Sequence, residues 1–145
     1  MAQATEAAAD CPFCAIVRGE LDAAVVGRGE GWCAFLDRSP VFHGHVLVVP
    51  AEHHVTLADL PIDQIAVLFA AVQKISRVLP RALGADGTFV AANNVVSQSV
   101  AHLHVHVVPR KKKDGLRGFF WPRVKYAEGS LEDYRARIAA GLEES

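Results

Sequence analysis

The chain has 145 residues, 51% of them hydrophobic, enough for one globular domain with a real core and too few for two. A net charge of −1 and the lack of any apolar run of about 18 residues exclude a generally nucleic-acid-binding surface and a membrane span. Three cysteines, an odd number with two in a C-x-x-C pair, exclude a disulfide framework and point to thiols or metal ligands in the cytoplasm.

Residues 1–10, M-A-Q-A-T-E-A-A-A-D, have neither a basic start nor a long apolar core, and read as a disordered tail rather than a signal peptide. One domain is expected over residues 11–145. It opens at Cys11-Pro12-Phe13-Cys14, a turn into a short helix that Gly19 stops. Two cysteines at this spacing can grip one metal ion or exchange disulfides, and zinc would need two further ligands, for which His53, His54 and His102 are available. Ala23 to Asp37 predicts a hairpin turning at Gly29-Glu30-Gly31, with Cys33 as a small buried hydrophobe. Gly44 then precedes His45-Val46-Leu47-Val48-Val49-Pro50, an apolar strand that should be central and buried on both faces.

Asp59, Leu60 and Pro61 resemble a helix N-cap region, and Ile65, Leu68, Phe69, Val72, Ile75 and Leu79 follow at helical intervals. This predicts a main helix packed on the sheet, ended by Pro80 and Gly84. Gly87 to Asn93 reads as a strand, and Asn93 to Ser99 as a polar loop. Between Arg110 and Lys125 lie seven of the fifteen basic residues, so a basic extension begins at about 110. Leu131, Tyr134, Ile138 and Leu142 predict a C-terminal amphipathic helix.

The most informative stretch is Ala101 to Arg110, A-H-L-H-V-H-V-V-P-R. His102, His104 and His106 alternate with Leu103, Val105 and Val107, which is strand spacing and puts the imidazoles on one face, about 7 Å apart. Half-exposed strands fill their outer face with Thr, Lys, Glu or Ser, not with histidines in strict alternation. Such a face can bind phosphate, ligate metal or attack an electrophile.

The run Gln98-Ser99-Val100-Ala101-His102-Leu103-His104-Val105-His106-Val107-Val108 resembles the histidine triad (HIT) signature. In the family's order it is preceded by the C-x-x-C with Ile16 and Gly19-Glu20, by Phe35-Leu36-Asp37-Arg38-Ser39-Pro40, and by Gly44 to Pro50 with His53. The resemblance covers roughly Cys11 to Arg110. It implies an α+β fold with a five-stranded, mostly antiparallel sheet, one main helix and a C-terminal helix, pairing with a second copy into a ten-stranded homodimer. It also implies nucleotide hydrolysis or nucleotidyl transfer at the α-phosphate of a purine nucleotide.

In that reading His104 matches the nucleophile that forms a covalent nucleotidyl-histidine, and His106 the phosphate contact. His102 and Ser99 match supports near the leaving group. Asn93 and Gln98 match phosphate-loop positions, although the loop looks about two residues shorter than in many relatives and leaves Asn94 as a substitute. Asp37 matches the ribose-binding carboxylate, or is a turn residue before Ser39-Pro40. Phe13, Ile16, Phe35 and Leu36 match the apolar slot for the base, and His45 a histidine supporting the triad. Relatives with zinc imply a structural Zn2+ on Cys11, Cys14, His53 and His102, with His54 as the competing third ligand. Trp121 is open to two roles, reaching a partner's site or core packing.

The chemistry is coherent from first principles. A nitrogen nucleophile divides attack on an anionic phosphorus into two easier steps. A backbone carbonyl would fix its tautomer, and flanking imidazoliums and amides would stabilise the oxygens. Close alternatives are a dinucleoside-polyphosphate phosphorylase, with the basic run holding outer phosphates, and a non-catalytic, zinc-stabilised nucleotide-binding module.

Overall fold

The computed structural model describes residues 7–116 and 123–144, and the chain divides into two compact units, Met1–Lys112 and Lys113–Ser145. Phe119, Phe120, Trp121 and Pro122, with Arg117 of the basic run, lie outside the described residues.

In the first unit the order is α1 (Pro12–Arg18), β1 (Val25–Gly29), β2 (Trp32–Leu36), β3 (Val46–Pro50), α2 (Ile62–Leu83), β4 (Gly87–Ala91) and β5 (Val105–Arg110). The strands form one antiparallel sheet in the order β1-β2-β3-β5-β4, as expected of the α+β reading. β3 is the middle strand and all five of its residues are buried. Strand alternation explains this. Val46 and Val48 join Leu68, Ala71, Val72, Ile75, Leu79, Leu103, Val105 and Val107 under α2, while Leu47 and Val49 join Phe13, Cys14, Ile16, Cys33 and Phe35 on the opposite face. The sheet therefore has two apolar layers, and the second lies against α1.

α1 is short and depends on its ends. Cys11 caps it in an extended conformation, its Sγ accepting the Cys14 N–H, and Pro12 occupies the first helical position. Gly19, at φ 76°, closes it by donating its N–H to the Ile16 carbonyl. The Arg28 guanidinium donates to the Val17 and Ile16 carbonyls at 2.7 and 3.0 Å, fastening the helix end to the hairpin.

Three expectations are corrected. Asp59 does not cap the main helix: its carboxylate accepts from the Thr56 N–H and hydroxyl in a separate 3-10 turn, Leu57–Asp59, while α2 starts after Pro61 with no side-chain cap. Pro80 does not end α2, which runs through it to Leu83 and stops at Gly84: proline lacks a donor but keeps its carbonyl, which accepts the Gly84 N–H and closes one more turn. Phe69 is exposed and Ala71 takes the inward position instead. The histidine stretch is also less regular than its alternation suggests. β5 begins at Val105, because the His102 N–H bonds the Val100 carbonyl and the Leu103 N–H bonds the His54 carbonyl, leaving neither for the sheet.

In the second unit α3 (Ser130–Glu144) is formed, and it buries none of its described side chains. No described helix is long and apolar enough to cross a membrane.

Candidate active site and metal centre

Although β5 starts late, the alternation of Leu103, Val105 and Val107 against His102, His104 and His106 survives in space. The aliphatic residues fill the α2 layer, and the Phe13 ring on the other side meets His102 and His104 edge-on at 5.9 and 5.2 Å. The His104 and His106 ring centres are 5.0 Å apart, closer than the 7 Å of an ideal strand.

The three rings differ in what holds their nitrogens. His102 is fully buried. Its Nε2–H donates to the Pro50 carbonyl at 3.0 Å, so its Nδ1 carries a lone pair, directed at Cys11 Sγ and Cys14 Sγ, each 3.4 Å away. Cys14 Sγ is also 3.3 Å from His53 Nδ1. The four donor atoms all lie within 4.8 Å of one another. A tetrahedral zinc with Zn–S of about 2.3 Å and Zn–N of about 2.05 Å has S···N edges of about 3.5 Å, close to these distances. Burial, followed by the neighbouring Cys11, pushes the Cys14 thiol up to about 11, so two thiolates here need a cation to neutralise them. Two sulfurs, two imidazoles and a hydrogen bond fixing one ring's tautomer therefore fit zinc. His54 stands apart, with its Nε2 3.4 Å from Glu52 and its carbonyl on Leu103.

His104 is also buried, and its Nδ1–H donates to the His102 carbonyl at 2.8 Å. A neutral ring so held presents the Nε2 lone pair, which is the tautomer a nucleophile needs.

His106 is held by a relay. The Val41 N–H donates to His45 Nδ1 at 3.1 Å, so His45 carries its proton on Nε2 and donates it to His106 Nδ1 at 2.8 Å. His106 then keeps its own proton on Nε2. Asp37 Oδ2 is 3.7 Å from His45 Nε2, beyond hydrogen-bond distance. Burial, helped by repulsion from the neighbouring histidines, lowers the His106 pKa to about 4 against the opposing pull of Asp37. His106 is thus a neutral hydrogen-bond donor at pH 7, not the imidazolium expected from the sequence.

Beside His104 and His106 is a cavity of about 200 Å³ lined by Phe13, Ile16, Phe35, Leu36, Asp37 and Ser99. All six were singled out from the sequence. Asp37 combines its two readings, with Oδ1 accepting the Ser39 N–H in a turn while the residue lines the cavity. Arg38, Leu21, Ala23, Leu47 and Val100 also line it and were missed. Arg38 sits next to Asp37 and was within reach of the sequence, whereas Leu21 and Ala23 enter from an irregular link with no periodicity.

Asn93 and Gln98 are not part of this lining. The Asn93 amide donates to the Ser97 carbonyl, and Gln98 binds the Val55 carbonyl and the Val95 N–H. These bonds brace a tight loop in which Val95 and Ser97 adopt φ of 70° and 61°, and Asn94 pins it to Leu57.

The family model for the HIT domain matches residues 18–113. An adenylylsulfatase of Arabidopsis thaliana is 35% identical over 109 residues, covering 74% of this chain and 55% of that protein, so the chain spans about half the length of that relative. An adenosine 5'-monophosphoramidase of Candida albicans is 31% identical over 120 residues, 79% of each chain. The crystal structure of a zinc-bound histidine triad family protein from Mycobacterium smegmatis is 35% identical, with a TM-score of 0.72 over 95% of this chain and 99% of that one. With the family match covering most of the chain and the three histidines, the cavity and the fold in agreement, this protein belongs to the histidine triad (HIT) family.

Proposed function

We propose that the protein is a nucleotide-phosphate hydrolase or nucleotidyl transferase that acts at the α-phosphate of a purine nucleotide through a covalent nucleotidyl-His104. The observation that carries this reading is the His104 Nδ1–H bond to the His102 carbonyl at the wall of an apolar cavity that also holds Asp37. The named activities of the two relatives support it, since adenylyl sulfate and adenosine 5'-phosphoramidate share an AMP group and differ in what leaves.

In the first step His104 Nε2 attacks phosphorus and the bond to the leaving group breaks, with Ser99 beside that group. In the second, water or another acceptor attacks phosphorus and the imidazole is released. The His106 Nε2–H donates to a non-bridging oxygen, and His45 keeps that proton where it is needed. Asp37 accepts the ribose hydroxyls, and Phe13, Ile16, Phe35 and Leu36 enclose the base. Asn93 and Gln98 serve the phosphate side by bracing the loop that carries Ser99. Such positioned donors are each worth about 10²–10³ in rate.

Cys11, Cys14, His53 and His102 would hold a structural Zn2+, tying α1 to the segment after β3 and the segment leading into β5, with no part in the steps above. His102 is then an anchor whose carbonyl, rather than its ring, serves the nucleophile. The edge strand β4, with Val90 exposed, is where a second copy would continue the sheet to ten strands. We place the enzyme in the cytoplasm, working on small nucleotides rather than on nucleic acid or membranes.

A panel of adenosine and guanosine phosphoramidates and dinucleoside polyphosphates, with trapping of labelled nucleotide on the protein, tests the reading. Label is expected on the wild type and not on His104→Ala. Hydrolysis of every substrate by that variant at the wild-type rate would overturn it. The polyphosphate alternative rests on the basic run Arg110 to Lys113, which starts at the last residue of β5, and phosphate stimulating nucleotide release would favour it.

A further inference from the structure

The nucleophile and the thiol cluster share residues. His102 is anchored at both ring nitrogens, by Pro50 and by the two sulfurs, and its carbonyl holds His104. Phe13, between the two cysteines in sequence, presses edge-on against the His104 ring at 5.2 Å. One backbone bond and one packing contact of the nucleophile therefore come from the segments that the cluster fastens together. A second cavity, of about 360 Å³, is lined by Asp10, Cys11, His53 and Ala101, and shares Pro12, Ser99 and Val100 with the wall of the nucleotide cavity. Cys11, though buried, thus borders a cavity beside the active site. Cys33 is buried in the same apolar layer, with Phe35 and Val49, but is not one of the four clustered donors.

Resting on the metal reading above, we infer that the Cys11–Cys14–His53–His102 centre is a thiol switch on catalysis, in which a peroxide oxidises Cys11 and Cys14 to a disulfide, releases the metal and unseats His104. The step balances as two thiolates, one hydrogen peroxide and two protons giving one disulfide and two waters. Each sulfur loses one electron and each peroxide oxygen gains one. A dithiol reductant returns both thiols. The sulfurs must close to about 2.05 Å, a shift within the first turn of α1, which carries Phe13 between them. His102 loses its anchor on the sulfur side and keeps only the one to Pro50, so the carbonyl that fixes the His104 tautomer is held less firmly.

The test uses the full chain, purified with zinc, in a Cys33→Ala background so that every thiol counted belongs to the pair. Hydrogen peroxide is titrated while free thiols, released zinc, hydrolysis of adenosine 5'-phosphoramidate and the NMR signal of the His104 Nδ1–H are followed. The expected result is loss of two thiols and one zinc per chain, a fall in kcat of about 10–100-fold, the usual cost of disturbing a supporting shell, and disappearance of that proton signal. Dithiothreitol with zinc should restore all of them. Unchanged turnover and an unchanged signal after both thiols and zinc are lost would overturn the switch and leave the metal reading intact. A centre whose zinc and thiols resist peroxide would do the same. Protein that takes up no zinc would overturn the metal reading, and the switch with it.

Discussion

Among the described residues, two groups of side chains gather metal-binding atoms within 4.8 Å of one another, Cys11–Cys14–His53–His102 and Asp37–His45–His106. By distance alone they are alike, and by proton placement they are opposites. In the first, the Pro50 carbonyl takes the His102 proton and leaves Nδ1 free beside two sulfurs. In the second, the Val41 N–H consumes the free lone pair of His45, and the proton on its other nitrogen fills the lone pair of His106. A 2.8 Å contact between two nitrogens is a hydrogen bond in which neither is left to give to a cation. One group leaves donor atoms open that could hold a metal and the other hands a proton's position along, and His104 stands between them.

Substituting the residue between the two groups should have the largest effect. His104→Ala is expected to lower kcat about 10³-fold or more while nucleotide binding persists, measured by turnover and by equilibrium titration. Cys14→Ala should then separate the groups, taking zinc from one per chain to near none by metal analysis and costing several kcal/mol of stability, on the order of 3–5. His45→Ala should do the reverse, leaving zinc unchanged and lowering kcat about 10–100-fold by releasing the His106 tautomer. Loss of zinc in the His45 variant would erase the distinction.

The relay should also show in the pH dependence of stability. His106 has a folded pKa of about 4 against an ordinary 6.5, so the unfolded chain binds the proton more readily. Its contribution is complete above pH 6.5 and is lost as the pH falls toward 4, amounting to at most about 3 kcal/mol. Urea midpoints between pH 7 and 4 should therefore fall more steeply in the wild type than in His106→Gln. The smallest effect is expected far from both groups. Neutralising Lys111, Lys112 and Lys113 should weaken polyphosphate binding about two- to fivefold and monophosphate binding less, as exposed charges do. Equal effects would make that run a solvated loop.

The sheet, the main helix and most of the cavity were legible because each rests on a local pattern. Alternation at 102–107 and the apolar run 46–50 survive any register, and Phe35 to Asp37 fall together on one short strand and its end. What could not be read was anything decided by a hydrogen bond across the fold. The start of β5 depends on His54, the state of His106 on Val41 and burial, and the anchoring of His102 on a carbonyl 52 residues away. Asp59 illustrates the same limit, since the sequence offers it as a cap for α2 and a nearer partner, Thr56, takes it.

The tight packing at Gly44 carries this coupling further. Gly44 stands at φ 96°, and a Cβ there would lie 2.3 Å from Leu83 Cδ1, at the last residue of α2. The next residue is His45. The helix end on one side of the sheet thus abuts the start of the relay on the other, so enlarging residue 83 should displace an imidazole it never touches. Directed evolution of this enzyme would find second-site changes in kcat at the far end of α2, and a search confined to the nucleotide cavity would pass them by.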